Sequence, residues 1–119
     1  MSYIDGFLIP VKTADKAAFI AHAKTMDSLF LEWGATRVVE GWGDDVPHGT
    51  TTDFNRAVLA SDDETVAFSW IEWPDKTVRD AAMAKMRTDP RMMAAPAPVD
   101  GKRMVMGGFD AVVDVKGDA

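Results

Sequence analysis

The sequence predicts an α+β fold, a ferredoxin-like βαββαβ sandwich with an extra hairpin strand, and three observations carry that prediction. The first is ETVAFSWIEW, Glu64–Trp73, an apolar run that also alternates. Val66, Phe68 and Trp70 share one side of an extended chain, and Ala67, Ser69, Ile71 and Trp73 share the other. Both sides are largely apolar, so this strand is interior and covered on both faces. The second is a stripe at helical spacing: Phe19, Ala23, Met26, Phe30 and Trp33. The third is order along the chain. Strand, long helix, strand, short strand, strand, helix, strand is βαββαβ with one strand added.

Residues 3–11 alternate, with Tyr3, Asp5, Phe7 and Ile9 on one face, and so predict the first strand. Pro10 lacks a donor and belongs at a strand end or on a free edge. Thr13 is positioned to cap a helix over residues 14–33, and Gly34 to end it. Residues 35–42 predict the second strand, and the polar stretch 43–53 a loop. Residues 54–60 read as a short strand that turns through Ser61 to Glu64 into the central one. Pro74 stops the central strand, and Asp75 caps a helix over residues 76–88 whose buried side is Val78, Ala82 and Met86. Asp89-Pro90 starts one short turn over residues 91–94. Residues 102–115 predict the last strand, with Gly107-Gly108 marking a bulge or a close backbone approach.

In that topology both helices lie on one face of the sheet, and no element is left for the other apolar face. A second copy of the chain is the simplest cover, so a homodimer is expected, its two sheets facing each other in a dimeric α+β barrel.

The length, 119 residues, predicts one domain, and 47% apolar residues suffice for a core without staples. The absence of cysteine excludes disulfides, thiolate zinc sites and a catalytic thiol. A formal charge of −6 opposes binding to a phosphate backbone, so no nucleic-acid partner is expected. There is no signal-peptide pattern at the start and no 18-residue apolar run, so a cytoplasmic location without membrane contact is expected. The phosphate-loop, GxSxG, HExxH and dinucleotide fingerprints do not occur.

Six segments, taken together, resemble the YbaA-like family of small bacterial proteins, a domain of unknown function: MSYIDGFLIPV at the start, DDVPHG at 44–49, FNRAV at 54–58, FSWIEWPDKTVRD at 68–80, DPRM at 89–92 and DGKRMVMGGF at 100–109. The resemblance implies a dimeric α+β barrel. It brings no catalytic residues with it. The wider superfamily implied holds heme enzymes, cofactor-free oxygenases, isomerase-like proteins and proteins without known activity, and fold does not choose among them.

Candidate residues follow from side-chain chemistry. His48, in the polar loop with Asp44, Asp45 and Asp53, titrates near neutrality and is the leading acid–base candidate. Those four side chains are adequate metal ligands, but their spacing matches no metal-binding loop, and no metal is expected. His22 borders the helix stripe, where a structural histidine outweighs a heme ligand, and no cofactor is expected. Glu72 and Glu40 sit on strands among apolar residues, each sharing a face with a tryptophan, Trp70 and Trp42. Each is a general base in a dry cavity or the partner of Arg37, Arg56 or Arg103. His48 and Glu72 are therefore taken as catalytic candidates, and Arg56, Trp70, Trp42 and Arg103 as ligand-binding candidates.

The function expected is a homodimer binding a small molecule in a cleft on the sheet face, with a cofactor-free oxygenase- or isomerase-like enzyme as its catalytic form. The alternative is a non-enzymatic structural or partner-binding dimer, with RNA binding third.

Overall fold

A computed structural model describes residues 2–92 and 97–118. Four strands, β1 (Tyr3–Lys12), β2 (Arg37–Trp42), β3 (Glu64–Trp73) and β4 (Val105–Asp110), form one antiparallel sheet in the order β2-β3-β1-β4. With helices α1 (Lys16–Glu32) and α3 (Lys76–Thr88) as its crossovers, this is the ferredoxin-like arrangement. β1 and β3 are the central pair, matched along their whole length from Tyr3 opposite Trp73 to Lys12 opposite Glu64.

That register decides what each face carries. Tyr3, Asp5, Ile9, Val11, Ala67, Ile71 and Trp73 are buried under the helices. Met26, Leu29, Phe30 and Trp33 of α1 and Ala82 of α3 close one core cluster with Tyr3, Ile71 and Trp73. Phe19 closes a second with Ile9, Val11 and Ala67, and Trp42 packs against it.

The ends of the elements have local causes. The Asp75 carboxylate accepts from Val78 N at 2.9 Å and starts α3. α1 stops because Gly34 takes φ of +112°. A Cβ there would lie 2.6 Å from Val78 Cγ1, so the glycine also lets α3 approach. Pro10 lies in the stretch of β1 beyond Leu8, the last residue that β4 reaches, where one strand edge is free.

Four expectations are corrected. Residues 54–60 form no strand: Phe54–Ala57 is a single helical turn, α2, capped by Asp53 Oδ1 accepting from Arg56 N at 2.7 Å. Phe54 and Val58 are four residues apart, and that pair, not an alternation, anchors the segment. Val58 is fully buried, and the Phe54 ring stands edge-on to Phe68 at 5.8 Å. The second sheet face is consequently not bare along its whole length, since α2 covers the end holding Pro10 and Val66. Thr13 caps nothing; it lies in a 3-10 turn, Thr13–Asp15, and its hydroxyl is bonded to that of Thr65 at 2.7 Å. The last strand spans only Val105–Asp110, because β1 ends opposite Asp110 and Ser2 O accepts the Ala111 N–H.

Gly107-Gly108 marks a close approach and no bulge: the pairing with β1 is unbroken, and a Cβ on Gly108 would lie 2.3 Å from Tyr3 Oη. The short turn expected after Asp89 is a 3-10 turn over Pro90–Met92, and its continuation through residues 93–94 lies outside the described residues.

Candidate functional site

Between the sheet and the two helices lies a cavity of about 460 Å3. Its walls are apolar side chains of β1, α1 and β3, among them Phe7, Ile9, Phe19, Phe30 and Ile71. A second kind of wall is methionine: Met26, Met83, Met86, Met92, Met104 and Met106 all border it. A ligand pocket has this composition when a few polar groups also converge on it. Here they come in two sets.

The first set joins β1, β3 and α3. Asp5 points to the helix side and is 4% exposed. Its carboxylate accepts from Trp73 Nε1 at 2.8 Å and from Arg79 Nη2 at 2.8 Å, with Arg79 Nε at 3.1 and 3.2 Å from its two oxygens. The guanidinium lies over the Tyr3 ring, 5.2 Å from its centroid, and also donates to Asp80. Bonded this fully to Asp5, Arg79 is held above the ordinary arginine range. Both charges are satisfied within the fold, and the set is a strut between sheet and helix.

The second set is different. Asp27 on α1 and Glu40 on β2 meet at the rim of the cavity, and the Ser69 hydroxyl, from the buried face of β3, donates to Glu40. Burial and the neighbouring Glu40 carboxylate push the Asp27 carboxyl up to about 8, and the proton it keeps is donated to Glu40. Among the described residues no lysine or arginine forms an ion pair with either carboxyl. Such a pair is equipped to exchange one proton near neutral pH or to receive a cation. His22, one turn before Met26 on α1, lines the same cavity.

Because its folded-state value is raised, Asp27 destabilises the fold as pH climbs from its unfolded value near 4 to about 8, and adds nothing further beyond. Asp27→Asn is therefore expected to match the parent at pH 4 and to exceed it by about 1–2 kcal/mol at pH 8.5, the half-buried site being partly screened by water. Urea unfolding at the two pH values checks this; an equal offset at both would contradict it.

The residues singled out in the sequence fall into four separate places. His48 is on the loop, its side chain 85% exposed and its Nδ1 3.8 Å from Asp53 Oδ2. Arg56 serves that loop too, donating to Thr50 O at 3.0 Å and lying 3.6 Å from Asp53. Asp53 itself is spent on the cap and on Gly49 N, and those backbone donors hold its carboxyl below the usual range. Glu72 is on the face away from the helices, accepting from Trp70 Nε1 at 2.8 Å and lying 3.8 Å from Arg37, so the paired reading of this glutamate is the one the geometry fits. Trp42 packs on Phe19 with Lys16 above its ring, outside the cavity lining. Arg103 is consumed: it holds Glu64 bidentately at 2.7 and 2.8 Å, donates to Asp100 at 2.8 Å and to Leu59 O. That grip, with Ser61 N, brings Glu64 down to about 2.

None of these side chains lines the cavity. Of the strand glutamates only Glu40 does, and Asp27 was not anticipated. Its signal was present: it sits at i+8 from Phe19, i+4 from Ala23 and i−3 from Phe30, a carboxylate set into the apolar stripe of α1. No group of three or more histidine, aspartate or glutamate side chains is disposed to hold a metal ion among the described residues. Nor is any described helix long and apolar enough to cross a membrane.

The face away from the helices carries a shallow apolar groove of about 710 Å3 between α2 and β4, lined by Ile4, Leu8, Phe68, Trp70, Val105 and Phe109 together with the flanking Phe54. Phe68 is 45% exposed and Phe109 61%. Phe54, Phe68 and Trp70 form a run of edge-to-face rings at 5.8 and 5.9 Å.

Comparison with known proteins gives the family and the fold. The family described as protein of unknown function (DUF1428) matches residues 2–101. Uncharacterized protein YbaA of Escherichia coli K12 is 50% identical over 116 residues, covering 96% of this chain and 99% of that protein. YbaA of Shigella flexneri matches to the same extent. A dimeric ferredoxin-like protein from an uncultured marine organism is similar in fold, with a TM-score of 0.60 at 10% identity, covering 97% of this chain and 100% of that one. Half the residues shared with YbaA over nearly the whole length, and the match across residues 2–101, make this chain a member of the DUF1428 family, the YbaA-like proteins its segments resemble.

Proposed function

We propose that the protein binds a small, mainly apolar molecule in the cavity between helices and sheet, and that it does so as a homodimer joined through the opposite sheet face. The observation that carries the first half is the cavity: about 460 Å3, apolar walls and a polar rim where the half-buried Asp27 meets the exposed Glu40. That volume lies within the roughly 300–1,000 Å3 of small-molecule sites. The expected cleft on the sheet face is thereby moved to the helix side, and the acid–base role from His48 and Glu72 to Asp27 and Glu40. A proton shift in the bound molecule through Asp27 is the chemistry this pair would add.

Support for the second half is the run Phe54, Phe68, Trp70 with Phe109, an exposed aromatic surface of the kind that marks an interface. The fold neighbour is itself described as dimeric. The groove and the cavity share Phe7, Met106 and Gly107 in their linings, and each half of the proposal has its own test.

Ala23 is buried in the cavity wall. With 2-naphthylmethanol as probe, the parent is expected to gain several degrees in Tm at millimolar ligand, while Ala23→Phe, which fills the space, gains little. An equal gain in both would overturn the cavity as the binding site.

A further inference from the structure

We propose that the cavity selects an apolar primary amine, its ammonium seated on Asp27 and Glu40 and its body among the aromatic and methionine side chains. The inference rests on the cavity being the binding site and names the chemistry of what enters it.

The argument is one of charge matching. Three other carboxylates that the fold draws in each hold an arginine, whereas, among the described residues, Asp27 is half-buried without one and Glu40 beside it is exposed. Asp5, Glu64 and Asp53, with side chains 5%, 6% and 4% exposed, lie 2.8, 2.7 and 3.6 Å from Arg79, Arg103 and Arg56. Asp27 and Glu40 have no such partner among the described residues, and only the Ser69 hydroxyl and a shared proton keep them together. The charge that complements this rim is a cation. An inorganic cation is a poor candidate, because two carboxyls without a third ligand make no metal group here. An organic ammonium attached to an apolar body satisfies both parts of the site at once. Its charge meets the carboxyls, and its body replaces water in a pocket whose remaining ion pair, Asp5 with Arg79, is already closed on itself. An anionic ligand meets the opposite: two carboxyls at the rim and, among the described residues, no guanidinium in the lining except that of Arg79, which Asp5 holds.

The chain's charge of −6 favours the same sign of ligand at longer range.

A proton signature follows. The titratable and charged groups lining the cavity are Asp27 and His22 from α1, Glu40 from β2, Asp5 from β1 and Arg79 from α3. An ammonium displaces the proton that Asp27 shares with Glu40, so amine affinity rises with pH up to about 8. A neutral ligand with the same body releases no proton and shows no such rise.

Three probes of one shape separate the outcomes: 2-naphthylmethylamine, 2-naphthylmethanol and 2-naphthoate, titrated by fluorescence against the full chain. At pH 7.5 the amine is expected to bind at least tenfold tighter than the alcohol, and the naphthoate more weakly than either. Amine affinity is expected to climb about threefold or more from pH 6.5 to 8.5. Glu40→Gln is expected to bring the amine-to-alcohol ratio close to one. Asp27→Asn is expected to flatten the pH rise, and His22→Gln to leave it, which separates the carboxyl from the imidazole. Circular dichroism confirms that each variant is folded. If the three probes bind alike and Ala23→Phe abolishes all of them, the cavity stands and the amine assignment falls. If none binds, or Ala23→Phe changes nothing, the cavity reading falls and the amine assignment with it.

Discussion

Arg79→Met is expected to lower stability by about 3–5 kcal/mol, because it leaves the Asp5 carboxylate buried without its cation. Methionine keeps much of the arginine's volume, so the loss reports on charge more than on a void. Trp73 Nε1 still donates to Asp5, but one neutral donor does not replace a bidentate guanidinium. Asp5→Asn in the same chain is expected to recover a large part of the loss, since the amide removes the orphaned charge. Chemical denaturation of the parent, the two single variants and the double variant measures the coupling. Additive losses would mean that Arg79 acts through its packing on Tyr3 and its bond to Asp80, not through Asp5.

The second large effect is on assembly. Phe68→Asp is expected to turn the proposed dimer into a monomer at low micromolar concentration, a weakening of a hundredfold or more, about 3 kcal/mol. The fold is expected to survive, because Phe68 is 45% exposed and lies on the face away from both helices. Sedimentation velocity of parent and variant decides it. A parent that is already monomeric, or a variant that stays dimeric, would remove this face from the assembly.

Much of the architecture was legible because single side chains announced it. Apolar runs with alternating faces marked β1 and β3, the Phe19-to-Trp33 stripe marked α1, and Asp75 and Gly34 marked helix ends whose geometry the fold reproduces. α2 was misread for a physical reason. A four-residue helix is too short to show a period, and its anchors, Phe54 and Val58, are as compatible with a short strand as with a turn. The end of β4 was overrun because pairing stops where the partner strand begins, and no property of residues 111–115 records that.

The site was less legible than the fold. Histidine and tryptophan drew attention in the sequence, yet His48 stands in solvent, and Trp70 is paired with Glu72 on the far face. The two carboxyls at the rim are separated by thirteen positions, on a helix and on the next strand, and only the crossing of α1 over the sheet brings them together. Asp27 reads as an ordinary polar interruption until the structure supplies Glu40 as its neighbour.

The six methionines around the cavity have a consequence for selectivity. Unbranched thioethers re-form around guests of different outline, unlike the β-branched walls of a rigid mould. Under the proposed binding, shape is therefore a loose filter in this pocket, and guests that differ in bulk are expected to fit it. The same walls are chemically perishable. Peroxide converts a thioether to a polar sulfoxide, so oxidation is expected to make this wall polar and to weaken the proposed binding of apolar guests.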